Sequence, residues 1–359
     1  MRALTINRFQ GNGILALGAN GVVEGCYIGV SLSGATAFAN QFNGVLISGT
    51  ATNVRIGGAS VAARNIISGN LLNGVAILGA LTSAHKIQGN FIGTDVAGSA
   101  DLGNSGFGGV QIRLGSINNT VGGTTAAARN IISGNDRMGV FIHESGTTGN
   151  VVQGNFIGLA SNGTTAIGNT SHGVFIASVA ANNSIGGTAV GAGNRIAHNG
   201  GDGVLIGSDP AFAFTTAAGS GNSVQGNSIF SNVGQGIDLG ANNGPTANDN
   251  SDPDPGPNDL LNTPVITNAY LAGTRFLLMG SINTVTNKNL RIEFFASPTG
   301  GQGQTFLGSL NLSMGGINSR TFAKAFTVPT SVLVGHKITA TITDQLGNTS
   351  EFSIPTTIE

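Results

Sequence analysis

The sequence predicts an all-β chain: a parallel β-helix over residues 1–240, then a β-sandwich over residues 264–359. Three observations predict it. Asn65-Ile66-Ile67-Ser68-Gly69-Asn70 recurs unchanged at 130–135 and in degenerate form at 194–199. A Gly-apolar-x-apolar run starts at Gly13, Gly44, Gly74, Gly109, Gly139, Gly173, Gly203 and Gly236. Beyond residue 263 both repeats stop, and short runs of alternating apolar residues take over.

Composition agrees. The 359 residues include 59 glycines, and only 9% are charged, for a formal net charge of -1. So little charge gives no steering toward DNA, RNA or anionic lipid, so nucleic acid is excluded as the expected partner. No apolar run approaches the ~20 residues that span a bilayer, so no membrane insertion is expected. Met1 to Ile6 lacks the apolar stretch and cleavage site of a signal peptide. Residues 4–9 should begin a strand with no coil before it. The natural chain is therefore expected to extend upstream, or this end to meet further coils or another subunit.

The coils come first. Gln88-Gly89-Asn90-Phe91-Ile92-Gly93 recurs at 153–158 and, shifted by seven residues, at 225–230. The extra residues fall near Asp209–Ser220 and read as a loop insertion. The long repeat holds two coils, each with three short strands, which gives about eight coils. At ~4.8 Å per coil the rod is ~38 Å long. Such units bury an apolar side only when neighbours cover it. Val45/Ile47, Val75/Ile77, Val110/Ile112, Val140/Ile142, Val174/Ile176 and Val204/Ile206 should stack inside as β-branched columns. Asn90, Asn155 and Asn227 form one amide ladder, and Asn65, Asn130 and Asn194 another. Cys26, in Glu24-Gly25-Cys26-Tyr27-Ile28-Gly29, takes the place of a ladder Asn and reads as a structural thiol. Arg64 and Arg129 share one repeat position and read as corner donors to carbonyls. His172 and Asp202 fill a turn position, and His198 stands where Gly69 and Gly134 do.

Residues 241–263 form an acidic linker rich in Pro, Gly and Asn. Asn250, Asp252 and Asp254 alternate oxygens that could meet a calcium ion. Pro255 before Gly256 and the lack of a closing Glu depart from the EF-hand loop, so a solvated linker is the first reading and calcium the second. No other cofactor is expected. Strand-like runs then follow at 265–270, 276–282, 290–296, 305–312, 321–328, 337–343 and 351–354. Seven short strands in under 100 residues suggest an immunoglobulin-like sandwich. Asp344 and Gly347-Asn348 shape its last turn, and its expected role is to cap the rod or space it from a surface.

With Asn-Ile-Ile-Ser-Gly-Asn, Gln-Gly-Asn-Phe-Ile-Gly and the intervening Gly-Gly-Thr corners, residues 1 to about 263 resemble bacterial right-handed parallel β-helix repeat proteins of pectate-lyase-like architecture. The segment Thr343–Ser353 resembles the final hairpin of bacterial Ig-like modules. The resemblance implies a secreted or cell-surface protein. It leaves activity open, since such folds carry lyases, hydrolases, epimerases and adhesins.

A reactive or binding site on such a rod would lie on the outer side of the repeating strand. Its outward rows read Leu15, Leu46, Ala76, Gln111, Phe141, Phe175, Leu205, Asp238, and then Leu17, Ser48, Leu78, Arg113, His143, Ala177, Gly207, Gly240. Neither row holds the carboxylate cluster of a pectin hydrolase, and Asp238 stands alone. The richest patch is Arg113, His143 and Glu144, the candidate catalytic set, with Gln111, Phe141 and Phe175 beside it. Arg113 offers paired hydrogen bonds to a carboxylate, and the rings offer faces to sugar C–H groups. Gln111, Arg113, Phe141, His143 and Phe175 thus form a candidate glycan site. The competing structural reading has the Phe pair covered by loops 94–108 and 159–172. With no acidic metal cluster to neutralise a sugar carboxylate, binding is favoured over catalysis. The leading expectation is a non-enzymatic extracellular module with a structural, adhesive or glycan-binding role. The alternatives are an enzyme on an acidic polysaccharide, a lyase before a hydrolase or epimerase, and a segment of a homotrimeric spike or filament.

Overall fold

The computed structural model describes residues 1–240 and 244–359. The first three residues of the expected linker, 241–243, lie outside the described residues. Short strands stack in parallel into three faces of one β-solenoid. The first face has 8 strands, from Thr5–Ile6 to Ser228–Phe230, and the second has 8, from Ile14–Ala16 to Ile237–Gly240. The third has 7, from Val22–Val23 to Ser223–Gln225. Among the described residues no helix is long and apolar enough to cross a membrane.

The columns read from the sequence are in register. On the second face Val75, Val110, Val140, Val174 and Val204 pair in succession, as do Ile77, Ile112, Ile142, Ile176 and Ile206. All ten are fully buried. On the first face Ile67, Ile92, Ile132, Ile157 and Ile196 do the same. This explains the double-length repeat: the Ile-Ile and Phe-Ile strands alternate turn by turn along a single face. A β-branched side chain loses little rotamer freedom in such a stack and meets its own shape above and below.

The two expected Asn ladders merge into one. Asn65, Asn90, Asn130, Asn155, Asn194 and Asn227 form a single buried column, each Nδ2 donating to the next Oδ1 at 2.9–3.1 Å. A second column runs from Asn40 through Asn70, Asn104, Asn135, Asn169 and Asn199 to Asn232. A third joins Asn119, Asn150, Asn183 and Asn222. In all three, the amide-to-amide bonds run toward the C-terminal end. Most of these Oδ1 atoms, such as those of Asn130, Asn155, Asn169 and Asn183, also accept a backbone N–H from the preceding turn, which pairs the corner amides there. Tight corners are what bring these groups together. At Gly122, φ is +95° and a Cβ would meet the Gln153 carbonyl at 1.9 Å, which only glycine permits.

Residues 264–359 form two antiparallel sheets. One orders Val265–Ala272, Arg275–Asn283 and Ser319–Thr327. The other orders Thr305–Ser313, Asn289–Ser297, Lys337–Asp344 and Thr356–Thr357. Phe276, Leu278, Ile292, Phe294, Ile338 and Ile342 lie in their shared core. Six of the expected strands are present. The seventh, 351–354, is not a strand, because these residues turn toward the solenoid: Phe352 packs on its core, and Glu351 accepts the N–H of Leu239 at 3.0 Å.

This contact caps the rod. Gly226 donates to the buried Glu293 carboxylate at 2.8 Å, and Asn232 donates its backbone N–H to Gln302 Oε1 at 3.1 Å. The described linker residues join in. Asn258 Oδ1 accepts the Asn222 N–H at 2.9 Å, and Thr246 donates its N–H to Glu351 at 2.8 Å. The segment is therefore a strap laid across both units rather than a solvated tether. At the opposite end, Thr5–Ile6, Ile14–Ala16 and Val22–Val23 are edge strands.

Candidate functional site

The expected patch forms on the outer side of the second face, where Gly108–Arg113 and Met138–His143 lie side by side and Val174–Ala177 follows. Gln111 pairs with Phe141 in register, and Phe141 with Phe175. The two rings stack 5.0 Å apart, and the His143 ring stacks on Phe141 at 3.9 Å.

The rings do not offer faces to a ligand, which corrects the sequence expectation. Phe141 and Phe175 are fully buried beneath the insertion Asp209–Ser220, whose Phe214 meets Phe141 edge-on at 4.7 Å. Phe107 completes the cluster, and Phe212 packs against it. Loop 94–108 thus contributes as expected. Loop 159–172 contributes through His172, whose ring lies 5.4 Å from that of Phe175, whereas its Leu159 packs on the first face with Phe91 and Phe156. The rows do face outward, but an outward row becomes core once a loop lies on it.

Gln111 and His143 are satisfied from within, whereas Arg113 Nε is buried without a hydrogen-bond partner among the described residues. Gln111, buried, accepts from Asn73 Nδ2 at 3.0 Å, and its own amide lies 3.0 Å from His143 Nε2. Gln111 Nε2 can only donate, so His143 Nε2 accepts and the ring proton sits on Nδ1. Burial, and then the Arg113 charge, lower the His143 pKa to about 3, so the ring is neutral. Arg113 pairs with Glu144 at 3.4 Å, and Glu144 also accepts the Leu114 N–H at 3.1 Å. Arg113 and Glu144 keep about a third of their side chains exposed, 32% and 31%. They form the only part of the candidate set that solvent reaches freely. A buried neutral imidazole and a paired guanidinium make a poor general base and a modest anion contact.

The insertion itself hangs on a histidine read from sequence as a turn substitution. His172 Nε2 lies 3.0 Å from Asp209 Oδ2, and Nδ1 lies 3.1 Å from Asp202 Oδ2. Burial alone would lower its pKa, but the two carboxylates overcome that and hold it above its ordinary value. This clamp escaped the sequence because Asp209 belongs to the insertion, where the repeat gives no register. Asp238 does not stand alone either: Asp202 and Glu351 are its acidic neighbours.

In the strap, carboxylate oxygens of Asp249, Asp252 and Asp254 gather within 4.8 Å of one another. Asp252 is buried, but its oxygens already accept from the Asn262 N–H at 3.0 Å and from the Thr284 hydroxyl. Those bonds tie the strap to the sandwich. Asp254 Oδ1, by contrast, is buried without a hydrogen-bond partner among the described residues, so structural bonds account for Asp252, and calcium stays the second reading of the triad.

Comparison with protein-family models and with curated proteins finds no match to this chain.

Proposed function

We propose that the chain is an extracellular or cell-surface β-solenoid module with a structural or adhesive role, ending in an Ig-like sandwich that caps and spaces it. The observation that carries this reading is the filled second face. Phe214 and Phe212 occupy the position a ligand would take over Phe141 and Phe175. The groups beneath are hydrogen-bonded to one another, as in a core and not as in a reactive cleft. The Ig-like assignment is supported by the strand order, in which consecutive strands are split between a three-stranded and a four-stranded antiparallel sheet.

A glycan-binding form of this role is supported by the half-exposed Arg113 at the loop margin, where a sugar carboxylate could take over the bond now made by Glu144. Titrating the full chain with polygalacturonate tests it. Weak binding that disappears in Arg113→Ala is expected, and binding unchanged in that variant removes the site. Release of an unsaturated sugar product, abolished in the same variant, would replace the adhesive reading with a lyase. A trimer in light scattering would favour the spike or filament.

A further inference from the structure

Asp238 ends the outward row on the last turn of the second face, pairing in register with Leu205. It is fully buried, and among the described residues neither carboxyl oxygen has a hydrogen-bond partner. A carboxylate in that position cannot remain ionised without a counter-charge. The charges that face it are mostly of its own sign. Asp202 approaches from the turn one coil earlier, and Glu351 from the sandwich. The nearest group able to carry positive charge, His172, is held between Asp202 and Asp209, and its Nδ1 also lies 3.0 Å from the Asp202 N–H. Gln235 completes the surroundings, and its amide nitrogen also lacks a partner.

Glu351 is the better anion of the pair. Its oxygens accept from the Leu239 N–H at 3.0 Å, the Thr246 N–H at 2.8 Å and the Thr246 hydroxyl at 3.2 Å. Donors aimed at a carboxylate favour its charged form. Asp238 receives no such backbone bonds: the Gln235 amide is its neighbouring side-chain donor, and the Glu351 carboxylate is its neighbouring acceptor. A metal is the poorer occupant, because the one set of three acidic or histidine ligands that converges among the described residues is Asp249, Asp252 and Asp254.

We propose that Asp238 is a carboxylic acid that donates its proton to the Glu351 carboxylate, and that this shared proton latches the sandwich onto the last turn of the solenoid. Burial, reinforced by Asp202 and Glu351, pushes the Asp238 pKa up to about 7, and burial raises Glu351 as well. The sign follows from linkage. An acid whose folded pKa is raised lets the unfolded chain ionise first, so stability falls as pH rises from the ordinary carboxylate range to about 7, then levels off. His172, also raised, loses its proton above its ordinary value and weakens the neighbouring clamp in the same direction. The joint is therefore tight in mildly acidic surroundings and loosens toward alkaline ones.

Thermal melts of the full chain from about pH 5 to about pH 9 test the latch. The wild type should lose several degrees across that range. Asp238→Asn keeps the shape and removes the titration, so it should melt higher than wild type at the alkaline end, with a flatter profile. An identical pH profile in both proteins would overturn the proposal. Infrared difference spectroscopy of the unmodified protein gives an answer that needs no folded variant. A protonated-carboxyl stretch that disappears as pH rises through about 7 is expected, and its absence at mildly acidic pH would also overturn the proposal.

Discussion

His143 shows how a residue type can mislead when its surroundings are unknown. From sequence it is the one histidine beside an arginine and a glutamate on an outward row. In place, it is a neutral hydrogen-bond acceptor sealed under Phe214, at 5.5 Å between ring centroids. Its depressed pKa makes it an acid-sensitive point. The unfolded chain takes up a proton below about 6.5 that the folded site refuses until about 3, so stability drops as pH falls through that window. Replacing His143 with Gln, which can still meet Gln111, should flatten the acid limb of the melting profile. An unchanged limb would show that His143 is charged or open to water. His85, fully buried and lowered to about 4 by burial, contributes in the same sense and would remain in the variant. Other single residues were readable because the repeat fixes their register. Cys26 sits in a column site, its N–H donating to Asn65 Oδ1 at 2.9 Å. Arg64 and Arg129 donate to the carbonyls of Gly89 and Gly154 and lie 4.1 and 4.0 Å over Phe91 and Phe156.

At the scale of elements, the Asn columns and the strap carry the predictions. Asn130 accepts from the Asn90 N–H and side chain and donates to Asn155 and to the Ile87 carbonyl. Asn130→Ala orphans buried donors on one side and an acceptor on the other, at about 1–3 kcal/mol for each unpaired group. Denaturant melts should show a loss of at least ~3 kcal/mol, and a loss under ~1 kcal/mol would mean that water replaces the amide. In the strap, the Asp252 oxygens are engaged by Asn262 and Thr284. Melting in excess chelator should therefore match melting in added calcium, and a clear rise with calcium would mean that the triad rearranges around an ion. Periodic elements were legible and aperiodic ones were not. The Val/Ile columns follow from a spacing that the sequence repeats, whereas the packing of Phe214 on Phe141 joins an insertion to a coil some seventy residues earlier. No local pattern encodes that contact.

For the whole molecule, the informative boundary is the one between solenoid and sandwich. Glu351, Glu293 and Gln302 lie far along the chain from the turns they cap, so the docking was visible in the sequence only as an expected role. If the sandwich is a true cap, a chain ending at residue 263 exposes the last turn, with its backbone donors and the apolar ground under Phe352. Light scattering should then find self-association, with a lower melting point than the full chain. A monodisperse, equally stable fragment would make the sandwich a neighbour only.

The common direction of the three internal amide columns sets what a chain of this kind can vary. Each column begins on a backbone N–H, such as those of Phe9, Cys26 and His85, which donate to Asn40, Asn65 and Asn119. At the far end of two of them, the columns ending at Asn222 and Asn232, acceptors are supplied by Asn258 and Gln302. Inserting or deleting one 65-residue unit changes neither terminus: the same donors meet the first rungs, and the same acceptors meet the last rungs of those two columns. Reach is thereby uncoupled from fittings. The molecule is a ruler whose graduations can be multiplied without remaking its ends, and selection on length need not disturb selection on attachment.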